Sequence, residues 1–150
     1  MLALSRMREM LITPGSLPGY LREPSTLQRG LRIVVPYTTP DAARASLRVA
    51  ATFGAGEVDL VAVQVIHYLA PLEPDARTEF LREQLQRIAA DSHIPVTPSI
   101  VLTHDDEASL VRVLPPDSLL LVGARRWFSR EARLARRLQR LGYDVVVVKI

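Results

Sequence analysis

Five short apolar segments recur along this chain with stretches of helical periodicity between them, and that alternation constrains the fold more than any other feature. The segments lie at residues 31–36 (LRIVVP), 58–67 (VDLVAVQVIH), 96–102 (VTPSIVL), 118–122 (SLLLV) and 143–150 (YDVVVVKI). The second, residues 58–67, is nearly all apolar, as strands buried on both faces are. Between the segments, Thr39-Pro40-Asp41 opens a helix with a hydroxyl at the N-cap, proline at N1 and an acid in the first turn. The helix to about Phe53 is alanine-rich, which lets it pack close to a sheet, and Gly54 and Gly56 end it. A second helix is predicted over residues 75–90, with Leu81, Leu85 and Ile88 inward and Arg77, Arg82, Glu83 and Arg87 outward. Asp105 or Asp106 caps a short one over 107–113, and an amphipathic helix follows Gly123. Pro98 inside the third strand predicts an edge position. Strands alternating with helices predict an α/β fold: a doubly wound, five-stranded parallel sheet with helices on both faces.

Composition narrows the chemistry. A chain of 150 residues, 48% hydrophobic, suffices for one domain with a real core. It holds no cysteine, so disulfide frameworks, thiolate metal sites and thiol nucleophiles are excluded. No apolar run reaches the roughly 18 residues of a membrane span, and Arg6, Arg8 and Glu9 interrupt the start, which argues against a secretory signal. The expected location is cytoplasmic.

Residues 1–30 differ in character from the rest of the chain. Pro14-Gly15, Pro18-Gly19 and Pro24 break any long element. Two readings are open: an extended arm lying on the domain or on a partner subunit, or a linker leading out from something upstream.

From Leu31 onward the chain resembles the universal stress protein domain. IVVPYTTPDAARASLRVA is similar to that family's first strand and helix, VAVQVIH to its second strand, and DSLLLVGARR with DVVVVKI to its fourth strand, glycine turn and closing strand. The resemblance implies an adenine-nucleotide alpha-hydrolase-like sheet of order 3-2-1-4-5, with a ligand crevice between the loops after strands 1 and 4, the switch point of such sheets. ATP-binding members carry an acid in the first loop and the motif Gly-x2-Gly-x9-Gly-Ser/Thr after strand 4. Here the acidic position falls on Thr38, the first glycine on Gly123 and the second on Arg126. The Gly-Ser pair falls on Glu131-Ala132, so the triphosphate cradle is expected to be dismantled. Val35-Pro36-Tyr37-Thr38-Thr39-Pro40 is similar to the first loop of the versions fused to amino-acid permeases and cation antiporters. That branch implies a regulatory module beside a membrane transporter.

The vestigial crevice is assigned to Tyr37, Thr38, Thr39, Val65, Gly123, Ala124, Arg125 and Arg126. No cofactor is expected; ATP, or a ligand without triphosphate contacts such as AMP or a cyclic dinucleotide, is the alternative. Arg126, Arg130, Arg133, Arg137 and Arg140 step by 4, 3, 4 and 3, which puts them on one helix face with Leu134, Leu138 and Leu141 toward the sheet. Arg130, Arg133, Arg137 and Arg140 are the candidate partner-binding set, for an acidic protein or an anionic lipid surface, against the plainer reading of a solvated face. Nucleic acid is disfavoured by the scarcity of aromatics; Trp127 and Phe128 are expected to plug the loop into the core. His67 and His104 fall near strand ends without metal-ligand spacing. No triad order or Walker loop occurs, so a non-enzymatic domain is expected, forming a homodimer across the apolar closing strand.

Overall fold

The structure, a computed structural model, describes the backbone of residues 11–12 together with residues 32–105, 112–126 and 128–150. Its elements in chain order are β1 (Leu11–Ile12), β2 (Arg32–Pro36), α1 (Pro40–Thr52), β3 (Val58–Val65), α2 (Ala76–Ala90), β4 (Val96–Thr103), β5 (Ser118–Ala124), α3 (Arg130–Arg140) and β6 (Asp144–Lys149). The short helix expected over 107–113 falls mostly outside the described residues, as does Trp127.

All strand pairs are parallel, and the order across the sheet is β1-β6-β5-β2-β3-β4. Without β1 this is the five-stranded order 3-2-1-4-5 expected from the sequence. The extra strand comes from the N-terminal segment: Leu11 pairs with Val147 and Ile12 with Val148. Part of the β6 edge that the sequence left open for a second subunit is therefore occupied by this chain. Pro98 sits on the opposite edge, in β4, where its missing N–H costs no ladder bond.

Side chains alternate across the sheet, so each strand feeds two cores. Ile33, Val35, Leu60 and Leu121 pack with α1 and α2 on one face. Val34, Leu120, Val122 and Val147 pack with α3 on the other. Every residue of β5 is buried, as the central position of that strand requires.

Local signals set the helix ends. The Thr39 hydroxyl accepts from the Ala42 N–H at 3.2 Å and Pro40 fills N1. Gly54, at φ +75°, turns the chain out of α1 in a conformation that a β-carbon disfavours. Asp75 and Thr78 form a reciprocal capping box at α2. Ser129 caps α3 by accepting from the Ala132 N–H.

Two expectations about α3 change. Ala132, Ala135 and Leu138 are its buried residues, whereas Leu141 is half exposed. Spacing by three keeps the small alanines over the sheet, while Leu141 lies beyond the last helical turn as the C-cap. Phe128 is 78% exposed and does not plug the loop; Ser129 bonds on both sides of this turn, accepting from the Ala132 N–H and donating to the Arg126 carbonyl.

Gly123 explains how closely α1 approaches β5. A β-carbon there would meet the Ala42 carbonyl oxygen at 2.6 Å and its α-carbon at 2.8 Å. Neither backbone atom can move without displacing the helix start. Gly123→Ala is expected to destabilise the fold by about 1 to 3 kcal/mol through overpacking. A lowered denaturant midpoint at unchanged m-value would register it.

Candidate functional site

The carboxyl ends of β2, β3 and β5 meet the N-termini of α1 and α3 at the point where the chain reverses its winding. The loop after β2 is firmly placed. The Tyr37 N–H donates to Val61 O at 2.7 Å, and its phenol donates to Gln84 Oε1 at 3.0 Å, tying the loop to β3 and α2. Burial raises the Tyr37 pKa, so the phenol stays protonated and available as a donor. Thr39 is committed as the α1 cap. Thr38 Oγ1 is enclosed and finds no partner among the described residues.

A crevice of about 450 Å³ opens beside this loop. Tyr37, Thr38 and Thr39 form one wall, and Val61 and Val63 of β3 contribute apolar surface. The α3 wall presents Arg130, Arg133 and Arg137 together with Glu131 and Leu134. Arg130 and Arg133 are exposed and make no ion pair among the described residues, while Arg137 is half buried. The basic stripe of the sequence is thus split. Three of its members edge a cavity, and Arg140 lies at the last turn, where a cation complements the helix dipole.

The residues assigned to the vestigial cradle separate as well. Tyr37, Thr38 and Thr39 line the crevice; Val65, Gly123, Ala124, Arg125 and Arg126 do not. Gly123 and Ala124 are buried, the former beneath the start of α1. Arg125 Nη2 meets Asp41 Oδ2 at 2.6 Å, both side chains being largely exposed. This pair joins the loop after β5 to the first turn of α1, across the place where a phosphate would enter. Its contribution to stability is small at such exposure, but it supplies α1 with its own anion. Arg126 offers its carbonyl to the Ser129 hydroxyl at 2.8 Å and points its exposed side chain elsewhere than the crevice. Glu131, which the sequence placed against phosphate oxygens, occupies the first turn of α3, where a carboxylate is favoured by the helix dipole. Val65 is 47% exposed at the end of β3.

The histidines serve the neighbouring loop. His67 stacks on Tyr68 with ring centroids 4.7 Å apart, and its Nδ1 accepts from the Leu69 N–H. His104 Nε2 donates to Ala70 O at 2.8 Å. No group of three metal-ligating side chains gathers among the described residues. Glu131 is the one carboxylate on the described crevice lining and no histidine shares it.

Sequence reading missed two features. The contribution of β3 to the crevice is one; Leu134, four residues after Arg130, was the available hint that the arginine face borders an apolar one. The other is a polar network at the carboxyl end of β3. The Thr78 hydroxyl donates to Gln64 Oε1 at 2.7 Å and accepts from the Asp75 N–H, while Gln64 Nε2 donates to Asp75 Oδ1 at 3.2 Å. The spacing Asp75-x-x-Thr78 was its legible signal.

Comparison with protein-family models, with curated proteins and with solved structures finds no match for the chain. Among the described residues no helix is long and apolar enough to cross a membrane.

The Asp75 network carries a pH signature. Hydrogen bonds from the Thr78 N–H and from Arg77 hold the Asp75 carboxyl well below the usual carboxylate range. A folded-state value below the unfolded one, about 3.9, gives stability that is complete above that value and lost as the pH falls below it. Asp75→Asn keeps a capping oxygen and removes the charge. Its melting temperature should lie below wild type at pH 7, and the gap should narrow between about pH 4 and pH 2; thermal melts across that window measure it.

Proposed function

We propose that this chain is a non-enzymatic regulatory domain of the universal stress type in which triphosphate binding has been given up. One observation carries the reading: the open side of Gly123 is filled by the backbone of Ala42 rather than left for a phosphate. The Arg125–Asp41 pair reinforces it by tying together the two loops that would have to admit the phosphates. The parallel sheet, with the strand order that the resemblance implies, supports the same assignment at the level of fold.

In this proposal the domain works in the cytoplasm by contact, alone or beside a membrane transporter of the permease or antiporter kind. Its partner-facing features are Arg126, Phe128 and Arg140, all exposed around α3. An acidic protein segment fits that surface better than a nucleic acid, since Phe128 is the sole described exposed aromatic beside the arginines. Homodimerisation would use the edge formed by β6, on which Leu11–Ile12 pair with Val147 and Val148.

A second reading, a ligand of AMP size without triphosphate contacts, is favoured by the 450 Å³ crevice, which lies within the range of small-molecule sites. Calorimetric titration with ATP, ADP and AMP in the presence of Mg²⁺ separates these readings from a working ATP site. With no cradle for the outer phosphates, ATP is expected to bind no more tightly than AMP, and Arg126→Gly is expected to restore nothing. An ATP affinity exceeding that of AMP by about tenfold, some 1.4 kcal/mol, would contradict the proposal.

A further inference from the structure

The crevice has a polarity of its own, which the residues of the lost cradle do not explain. Arg130, Arg133 and Arg137 stand at i, i+3 and i+7 of α3, so their guanidinium groups share one edge of the cavity. Arg130 and Arg133 make no ion pair among the described residues, and Glu131 is the single described carboxylate on the lining beside them. Deeper in the cavity the surface is apolar: Val61 is nearly buried, with Val63 and Leu134 half buried beside it. On the opposite wall Thr38 Oγ1 is enclosed without a partner, an uncommon state for a buried hydroxyl.

We infer that the crevice is a binding site for a compact organic anion: one phosphate or carboxylate group on an apolar ring or short chain. The anionic group pairs with Arg130 and Arg133, for which planar guanidinium donors are well suited. The apolar body lies on Val61, Val63 and Leu134, facing the wall formed by Tyr37 and Thr38. A volume of about 450 Å³ admits a one- or two-ring molecule. The inference rests on the reading of this chain as a binding domain, and it assigns the charged end to the helix α3 rather than to the loop after β5.

The probe is 8-anilinonaphthalene-1-sulfonate, an aromatic anion whose fluorescence rises in an apolar site. It should bind the folded wild-type chain saturably at one site. On the wild type alone, 1-naphthyl phosphate and 1-naphthoate should displace it, the stronger of the two identifying the preferred head group, and neutral 1-naphthol should not. Arg130→Gln with Arg133→Gln should weaken binding about tenfold, as expected for loss of charge-assisted hydrogen bonds, at an unchanged melting temperature. Arg87→Gln, exposed on α2 and away from the lining, should bind as wild type. Displacement by 1-naphthol equal to that by the anions would overturn the inference, as would an unaltered affinity in the double variant or an equal loss in Arg87→Gln. Absence of saturable probe binding overturns the crevice assignment and leaves the triphosphate-free reading standing. Displacement by ATP about tenfold better than by 1-naphthyl phosphate, a gap of some 1.4 kcal/mol, overturns that reading instead and leaves the anion site in place.

Discussion

The close approach of α1 to β5 is the contact on which the rest of this molecule depends. The helix can lie against the strand because its inward residues are alanines and because β5 presents a glycine beneath Ala42. Leu119 and Leu121 of β5 and Val146 and Val148 of β6 are buried in the same cluster as the α1 residues, and area removed from water is the main source of stability in a domain of this size. The same contact uses up the glycine. In sheets of this kind a glycine after a central strand allows a phosphate close to the backbone; here the backbone of a helix takes that room.

Once the helix is seated, the polar groups at the carboxyl edge of the sheet fall into place. Thr39 must cap α1, and Asp41 is then carried to the first turn, where Arg125 reaches it. Tyr37 is drawn between β3 and α2 by its two hydrogen bonds. Thr38 is left between these anchors with its hydroxyl unmatched. On the other face, the alanines of α3 bring that helix close to β5 and β6, and its arginines come to edge the cavity over β3.

Much of this was legible in the chain itself. The apolar segments at 118–122 and 143–150 can be little other than buried parallel strands, and Thr39-Pro40-Asp41 marks a helix start by three independent signals. Pro98 correctly placed β4 at an edge. The pairing of Leu11–Ile12 with β6 was hidden, because two residues among prolines and glycines carry no periodicity. The packing of Gly123 against Ala42 was not legible from motif position: spacing reports where a glycine stands, while only packing reports what lies beside it. Of the arginine stripe, Arg130, Arg133, Arg137 and Arg140 do lie on one helix, whereas Arg126 falls in the loop before it. That part of this face borders a cavity depends on β3, some seventy residues earlier, and long-range proximity of that kind leaves no local trace. Leu141 and Phe128 went wrong for a related reason, since hydrophobicity alone does not say which side of a short helix or turn meets the sheet.

In the proposed reading, the ligand-accessible surface of this domain is the crevice bounded by the loop after β2, by β3 and by α3, rather than the loop after β5. Amide chemical shifts followed during titration with 1-naphthyl phosphate test it residue by residue. The account predicts perturbations concentrated at Tyr37, Thr38, Val61, Val63 and residues 130–137, with the amides of Gly123 to Arg126 unmoved. Shifts centred on Gly123, Arg125 and Arg126, with residues 130–137 unchanged, would contradict it.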